Sequence, residues 1–238
     1  MAWEQWIDNY RRTARLSPAL LVALPLIVLV LVAVPAVLSW WAKSVGVVVV
    51  SGLPFVIMQL VRDRGRQVEQ KLFQSWSGAP TTTLLRWAGP ESRAAVNRRH
   101  ALLGKVTGVR LPTLKAEEVD PRRADEVYDV ATAALRELTR DNSRFELLHH
   151  ELKTYGFRRN VYGCRALGIA ISITAAVVTP VFAWARVIPL DWKAQAALTL
   201  FDGLWVLWWW RICTPGWVRQ AANNYARQLF ASLEALDK

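Results

Sequence analysis

The chain has 238 residues, 53% of them hydrophobic, with 30 Lys and Arg against 19 Asp and Glu and a formal net charge of +11. That apolar content excludes a disordered segment, and two cysteines are too few for a disulfide-stapled secreted domain; a reducing compartment suits them. Charge is also unevenly spread, and four long stretches carry almost none.

An amphipathic N-terminal segment with Trp3, Trp6, Arg11, Arg12 and Arg15 leads into Leu16–Trp40, 25 residues without a charge. Ser44–Val61 is a second uncharged run. Ala166–Ala185 and Ala194–Trp210 repeat the pattern near the C-terminus. A membrane-spanning helix needs about 20 such residues. The expected fold is an all-α membrane protein: two transmembrane helical hairpins flanking a small cytoplasmic helical domain. The boundaries fall at 1–61 for the N-terminal segment and first hairpin, 62–165 for the cytoplasmic domain, 166–210 for the second hairpin and 211–238 for a C-terminal helix. A soluble core helix is rarely as long and charge-free as the first run. The last run, with Asp202 and Arg211, also reads as an interfacial helix. A cleaved signal peptide fits poorly, because a second apolar run follows at once.

Twelve basic residues flank one side of these spans: Arg11, Arg12, Arg15, Arg62, Arg64, Arg66, Lys153, Arg158, Arg159, Arg165, Arg211 and Arg219. Only Lys43, Arg186 and Lys193 flank the other. The positive-inside rule then places both termini and the central domain in the cytoplasm, in a multi-pass protein of the cell inner membrane. Tryptophans at the span ends, among them Trp40, Trp184, Trp192, Trp208, Trp209 and Trp210, fit headgroup layers.

The segment 62–165 holds 20 basic and 13 acidic residues, more positive charge than orientation requires. A helix is expected to continue past the second span to Phe73, with Gly65 a weak point. Ser77–Pro80 reads as a turn, Pro80–Trp87 as the start of an element and Ser92 to about Leu103 as a short helix, with Gly104, Gly108 and Pro112 in a loop. Asp120 and Pro121 start a helix whose apolar stripe reads Val127, Ala131, Ala134, Leu135 and Leu138. Asp141 or Asn142 caps another, with Phe145, Leu148, Leu152 and Tyr155 on one face; Gly156 and Gly163 are its weak points. Residues 221–236 form an amphipathic helix with Tyr225, Leu229, Leu233 and Leu236 inward, lying on the membrane or on the central domain.

No phosphate-binding loop, dinucleotide fingerprint, zinc-protease, nucleophile-elbow or CxxC motif is present, which points away from an enzyme. His149 and His150 are adjacent and face different directions on a helix, so no metal site or cofactor is expected. Three basic clusters have the chemistry to bind an anionic ligand: Arg98-Arg99-His100, then Arg122-Arg123 at a helix start, then Tyr155, Arg158, Arg159 and Asn160. Arginine forks grip phosphates and aromatic rings stack on bases, although each cluster also reads as a solvated face or an orientation signal. Within the fourth run Asp202 is a costly charge at membrane depth, and an oligomer could set such carboxylates around a pore. A hydrogen-bonded structural Asp is the alternative. Pro25, Pro35, Pro54 and Pro180 can open helix carbonyls, and Gly168, Ser172 and Ala176 form a small-residue packing face.

Several stretches carry a family resemblance: Gly78–Arg86 (GAPTTTLLR), Leu111-Pro112 with Glu117–Pro121, Ala124–Tyr128, Leu138–Asp141 and, most distinctively, Tyr155–Asn160 (YGFRRN) with Gly163 beyond. On these the chain resembles four-span membrane effectors of bacterial nucleotide-signalled antiviral systems, in particular the Hailong-type membrane effector. The resemblance implies a homo-oligomer that stays silent until a partner nucleotidyltransferase makes a nucleotide or oligonucleotide signal, which opens an ion channel and depolarises the infected cell. The alternatives are a non-conducting membrane scaffold or partner-docking protein and, last, a lipid-modifying enzyme.

Overall fold

A computed structural model of the chain describes residues 14, 16–37, 59–185 and 191–237. The protein is all-helical over that range, with no strand among the described residues. The N-terminal segment, most of the second apolar run at 44–58, and Lys43 and Arg186 lie outside the described residues. In chain order the helices are α1 (Ser17–Val37), α2 (59–75), α3 (Pro80–Leu85), α4 (Arg93–Thr107), α5 (Leu114–Val119), α6 (Pro121–Leu138), α7 (Glu146–Gly163), α8 (Arg165–Trp184), α9 (Trp192–Arg211), α10 (Pro215–Ala231) and α11 (Leu233–Leu236).

These elements divide into two compact units, one holding 70–155 and 219–237, the other 14–69 and 156–218 among the described residues. In the first unit, helix ends follow local chemistry. Ser92 caps α4 by accepting from the Ala95 amide, and Gly108 ends it at φ 72°, the left-handed conformation that favours glycine. The helix therefore runs through Gly104, four residues past the expected end. Asp120 caps α6 through the Arg123 amide, with Pro121 in the first turn, as the sequence indicates. Asp141, expected to cap α7, instead accepts from the amides of Ser143 and Arg144 in the turn that precedes the helix, which begins at Glu146.

The buried face of α6 is turned from the expected stripe. Ala124, Tyr128, Ala131, Thr132 and Leu135 face inward, while Leu138 is exposed. Tyr128 turns inward because its hydroxyl donates to the buried Glu117 at 2.6 Å, which the purely apolar stripe did not take into account. This face packs with Leu84, Leu85, Leu103, Phe145, Leu148, Ala226, Leu229, Phe230 and Leu233. The C-terminal helix therefore packs on the central helices, and Ser232 divides it into α10 and α11.

In the second unit α8 packs against α1 and α9, around a core of Ala19, Val22, Ala23, Val61, Val161, Cys164, Trp209 and Cys213. Glycines set its close approaches. A Cβ on Gly163 would stand 2.9 Å from the backbone of Arg64 and Gly65, so the position expected to weaken α7 is where α2 and α7 touch. Gly168 lies against the indole of Trp209, which is wholly buried rather than interfacial. Prolines set its hydrogen bonds. Pro25 has no N–H to give the Leu21 carbonyl, and the Trp205 indole donates to that oxygen at 3.1 Å. Pro18 likewise leaves the Ala14 carbonyl free, and Asn160 Nδ2 donates to it at 2.6 Å.

Among the described residues one helix, α8, is long and apolar enough to cross a membrane, and Ser17–Leu31 is a shorter apolar helix. Helix α9 is interrupted by Gln195 and Asp202.

Candidate functional site

The three basic clusters are divided between the two units. Tyr155 is buried in the first unit and stacks on Tyr225 with centroids 6.3 Å apart. The remaining three members of its cluster lie in the second unit, each engaged with the fold. Arg158 donates to the Trp217 carbonyl at 3.0 Å and lies over its ring. Arg159 pairs with Glu69 at 2.9 Å. Asn160 is buried on the Ala14 carbonyl. The most distinctive sequence stretch thus acts as a packing bracket in this structure.

Arg122 and Arg123 are exposed at the start of α6. The Arg123 amide, which a helix-terminal anion would need, is already bound by Asp120 at 3.0 Å. Arg123 instead lines a separate cavity of about 340 Å³ with Arg110 and Asp120.

His100 is a core residue. Its Nε2 sits 2.7 Å from the Leu85 carbonyl, and its ring meets Trp87 edge-on at 4.8 Å. Nε2 must therefore carry the proton, and burial pulls the ring's pKa below its ordinary value. This neutral ring is a poor anion ligand.

Arg98 and Arg99 are the members of the expected set that line a groove, of about 270 Å³, together with Arg227, Phe230 and Glu234. Arg99 is fixed there: it donates to the Leu84 carbonyl, lies 5.1 Å over the Phe230 ring, and has only a long 3.9 Å contact to Glu91. Burial lowers its pKa, and Arg227 pushes the same way. Arg98 pairs with Glu234 at 2.8 Å. Three guanidiniums, one of them desolvated, thus line one groove beside Glu234. Arg227 is the member the basic clusters missed, because it stands alone in sequence among apolar and amide residues.

A second polar centre was also hidden in the sequence. Glu117 is buried and accepts from the backbone amides of Trp87 at 3.1 Å and Ala88 at 3.3 Å and from the Tyr128 hydroxyl at 2.6 Å. Arg86 grips Asp125 with two bonds, at 2.8 and 2.7 Å, and reaches the Ser77 carbonyl. Burial, reinforced by Glu117, drives the Tyr128 hydroxyl far above its ordinary pKa. Beside these groups lies a cavity of about 440 Å³ lined by Arg93, Glu118 and Pro121. Glu117 and Asp125 are satisfied internally and tie α5 and α6 to the segment after α3. This centre contains Arg86, Glu117, Glu118, Pro121, Asp125 and Tyr128 of the short stretches that carry the family resemblance.

The chain matches no protein-family model, no curated protein and no solved structure.

In the second unit Asp202 is 3% exposed on α9, turned inward from Leu200, Leu204 and Leu207, and has no hydrogen-bond or ion-pair partner among the described residues. Helix α8 shows the same inversion. Gly168, Ser172, Ala175 and Thr179 are buried, one register from the expected Ala176, while Ile173, Val177, Val181 and Phe182 are exposed. Ser172 and Thr179 hydroxyls bond back to the carbonyls of Gly168 and Ala175. No group of three or more metal-ligating side chains occurs among the described residues.

Proposed function

We propose that this chain is an oligomeric, multi-pass ion channel of the cell inner membrane, opened by an anionic nucleotide or oligonucleotide signal in antiviral defence. The observation that supports the membrane part is the outward face of α8 and α9, where bulky apolar side chains are exposed while Ser172, Thr179 and Asp202 are buried. Water does not favour that arrangement; a bilayer does. Both termini and the basic first unit face the cytoplasm in this reading, and the charge bias across the apolar runs supports it.

The groove of Arg98, Arg99 and Arg227 is assigned to the signal. Asp202 is assigned to the ion path, since an intramembrane carboxylate turned from lipid marks an ion or proton route more often than a fold requirement. Two features favour a second reading, a non-conducting membrane scaffold. Asp202 is enclosed within a single chain, and the arginines of the YGFRRN stretch are committed to internal partners.

Ion flux through purified protein in sealed vesicles separates them. The channel reading expects flux only after addition of extract from cells expressing a partner nucleotidyltransferase, and an Asp202→Asn protein with altered cation preference. Absence of flux in a correctly inserted oligomer supports the scaffold.

A further inference from the structure

The groove in the first unit is partly occupied by the chain's own carboxylate. Residues 233–237 are held on the helical domain by Leu233, which is buried, by Leu236, which packs half-buried on the same core, and by three surface contacts. Arg98 pairs with Glu234 at 2.8 Å, Lys105 with Asp237 at 2.7 Å, and Arg144 donates to the Ala235 carbonyl at 2.7 Å. Ser232, itself in a helical conformation, separates this last turn from α10.

Arg98 and Glu234 are 72% and 64% exposed in their side chains, so their bridge contributes at most about 1 kcal/mol. Arg99 is far better enclosed, and Arg227 has no ion-pair partner among the described residues. Two carboxylates, Glu234 on Arg98 and the more distant Glu91 on Arg99, therefore face three guanidiniums. A phosphate brings more charge and more acceptor oxygens, and a guanidinium fork binds it through two bonds.

We infer that Glu234 is a built-in competitor for this groove, and that a phosphate group entering among Arg98, Arg99 and Arg227 displaces it and loosens residues 234–237. The inference rests on the groove being the signal site proposed above. Leu233 stays in the core as the pivot, and the loosened segment reports occupancy. The phosphate belongs to a soluble ligand or to a lipid headgroup, since both present the same chemistry.

The test uses the full chain in phosphatidylcholine nanodiscs, titrated with inorganic pyrophosphate by calorimetry and followed by amide exchange over 234–237. Removing a competitor worth up to about 1 kcal/mol should tighten pyrophosphate binding about threefold to fivefold in Glu234→Gln. Arg227→Gln should weaken it about tenfold, and exchange over 234–237 should rise with pyrophosphate in the unaltered protein. Unchanged affinity in Glu234→Gln, with binding still lost in Arg227→Gln, overturns the competitor and leaves the groove as the site. No pyrophosphate binding by either the unaltered protein or Glu234→Gln overturns both. Loosening by phosphatidylglycerol nanodiscs alone identifies a headgroup as the phosphate donor; loosening by pyrophosphate alone identifies a soluble one.

Discussion

In the first unit Tyr128, Leu85, Leu103 and Leu135 are fully hidden, and the exposed apolar side chains Val119, Val130, Leu138 and Leu147 are scattered among charges. In the second, Ile173, Val177, Val181, Phe182, Leu200, Leu204 and Leu207 are exposed together, while Asp202, Ser172 and Thr179 are buried. Both units have an apolar core, that of the second holding Val22, Val61, Val161 and Trp209, but the outward faces of α8 and α9 are apolar where the first unit's surface is charged. The difference teaches what each is dissolved in: the first unit is organised against water, and the proposed solvent of the second is lipid.

Buried carboxylates give the sharpest way to break that comparison. Glu117 satisfies two amides and a hydroxyl, so Glu117→Leu should cost about 3–5 kcal/mol and lower the first unit's thermal midpoint strongly. Asp202 has no such partners, and Asp202→Leu should be neutral or stabilising by the same thermal assay in micelles. Equal losses at both positions would erase the contrast.

Exposed apolar positions come next. Val177→Arg should cost about 3 kcal/mol in membrane insertion, seen as a reduced membrane-integrated fraction. Leu147→Arg, equally exposed but in the first unit, should change stability by no more than about 0.5 kcal/mol. Within the second unit, Gly163→Ala should cost about 2 kcal/mol, because its Cβ meets α2 backbone that has no side chain to move aside. A thermal midpoint unchanged by that substitution would contradict the described helix contact.

The smallest expected effect is a pH dependence confined to the first unit. Burial depresses the pKa of both His100 and His149. The native rings therefore bind fewer protons than the unfolded chain, whose histidines titrate near about 6.5. Stability should be fully present above that pH and should fall as pH drops from about 6.5 toward the lower native values. A thermal midpoint that rises on acidification between pH 6.5 and 5 would show the rings to be charged in the fold.

The sequence made the helices legible wherever the signal is local. Ser92 and Asp120-Pro121 mark helix starts through their own hydrogen bonds, Asp141 marks the turn before α7, and the uncharged runs at 16–40 and 166–185 stand out by composition. What depended on distant partners was not legible. Prolines announce that a carbonyl is open, but only the fold supplies Trp205 for Leu21 and Asn160 for Ala14. Gly163 looks like a weak point until α2 is beside it. The YGFRRN arginines look free until Glu69 and Trp217 appear, and Arg227 joins Arg98 and Arg99 from more than a hundred residues away.

Alkaline extraction of membranes from cells expressing the full chain tests the membrane reading of the second unit most directly. A protein that spans the bilayer stays in the membrane pellet at high pH, and this chain is predicted to do so, with Val177→Arg shifting part of it to the supernatant. Complete release of the unaltered chain as a monodisperse soluble protein would contradict the membrane reading and the channel with it.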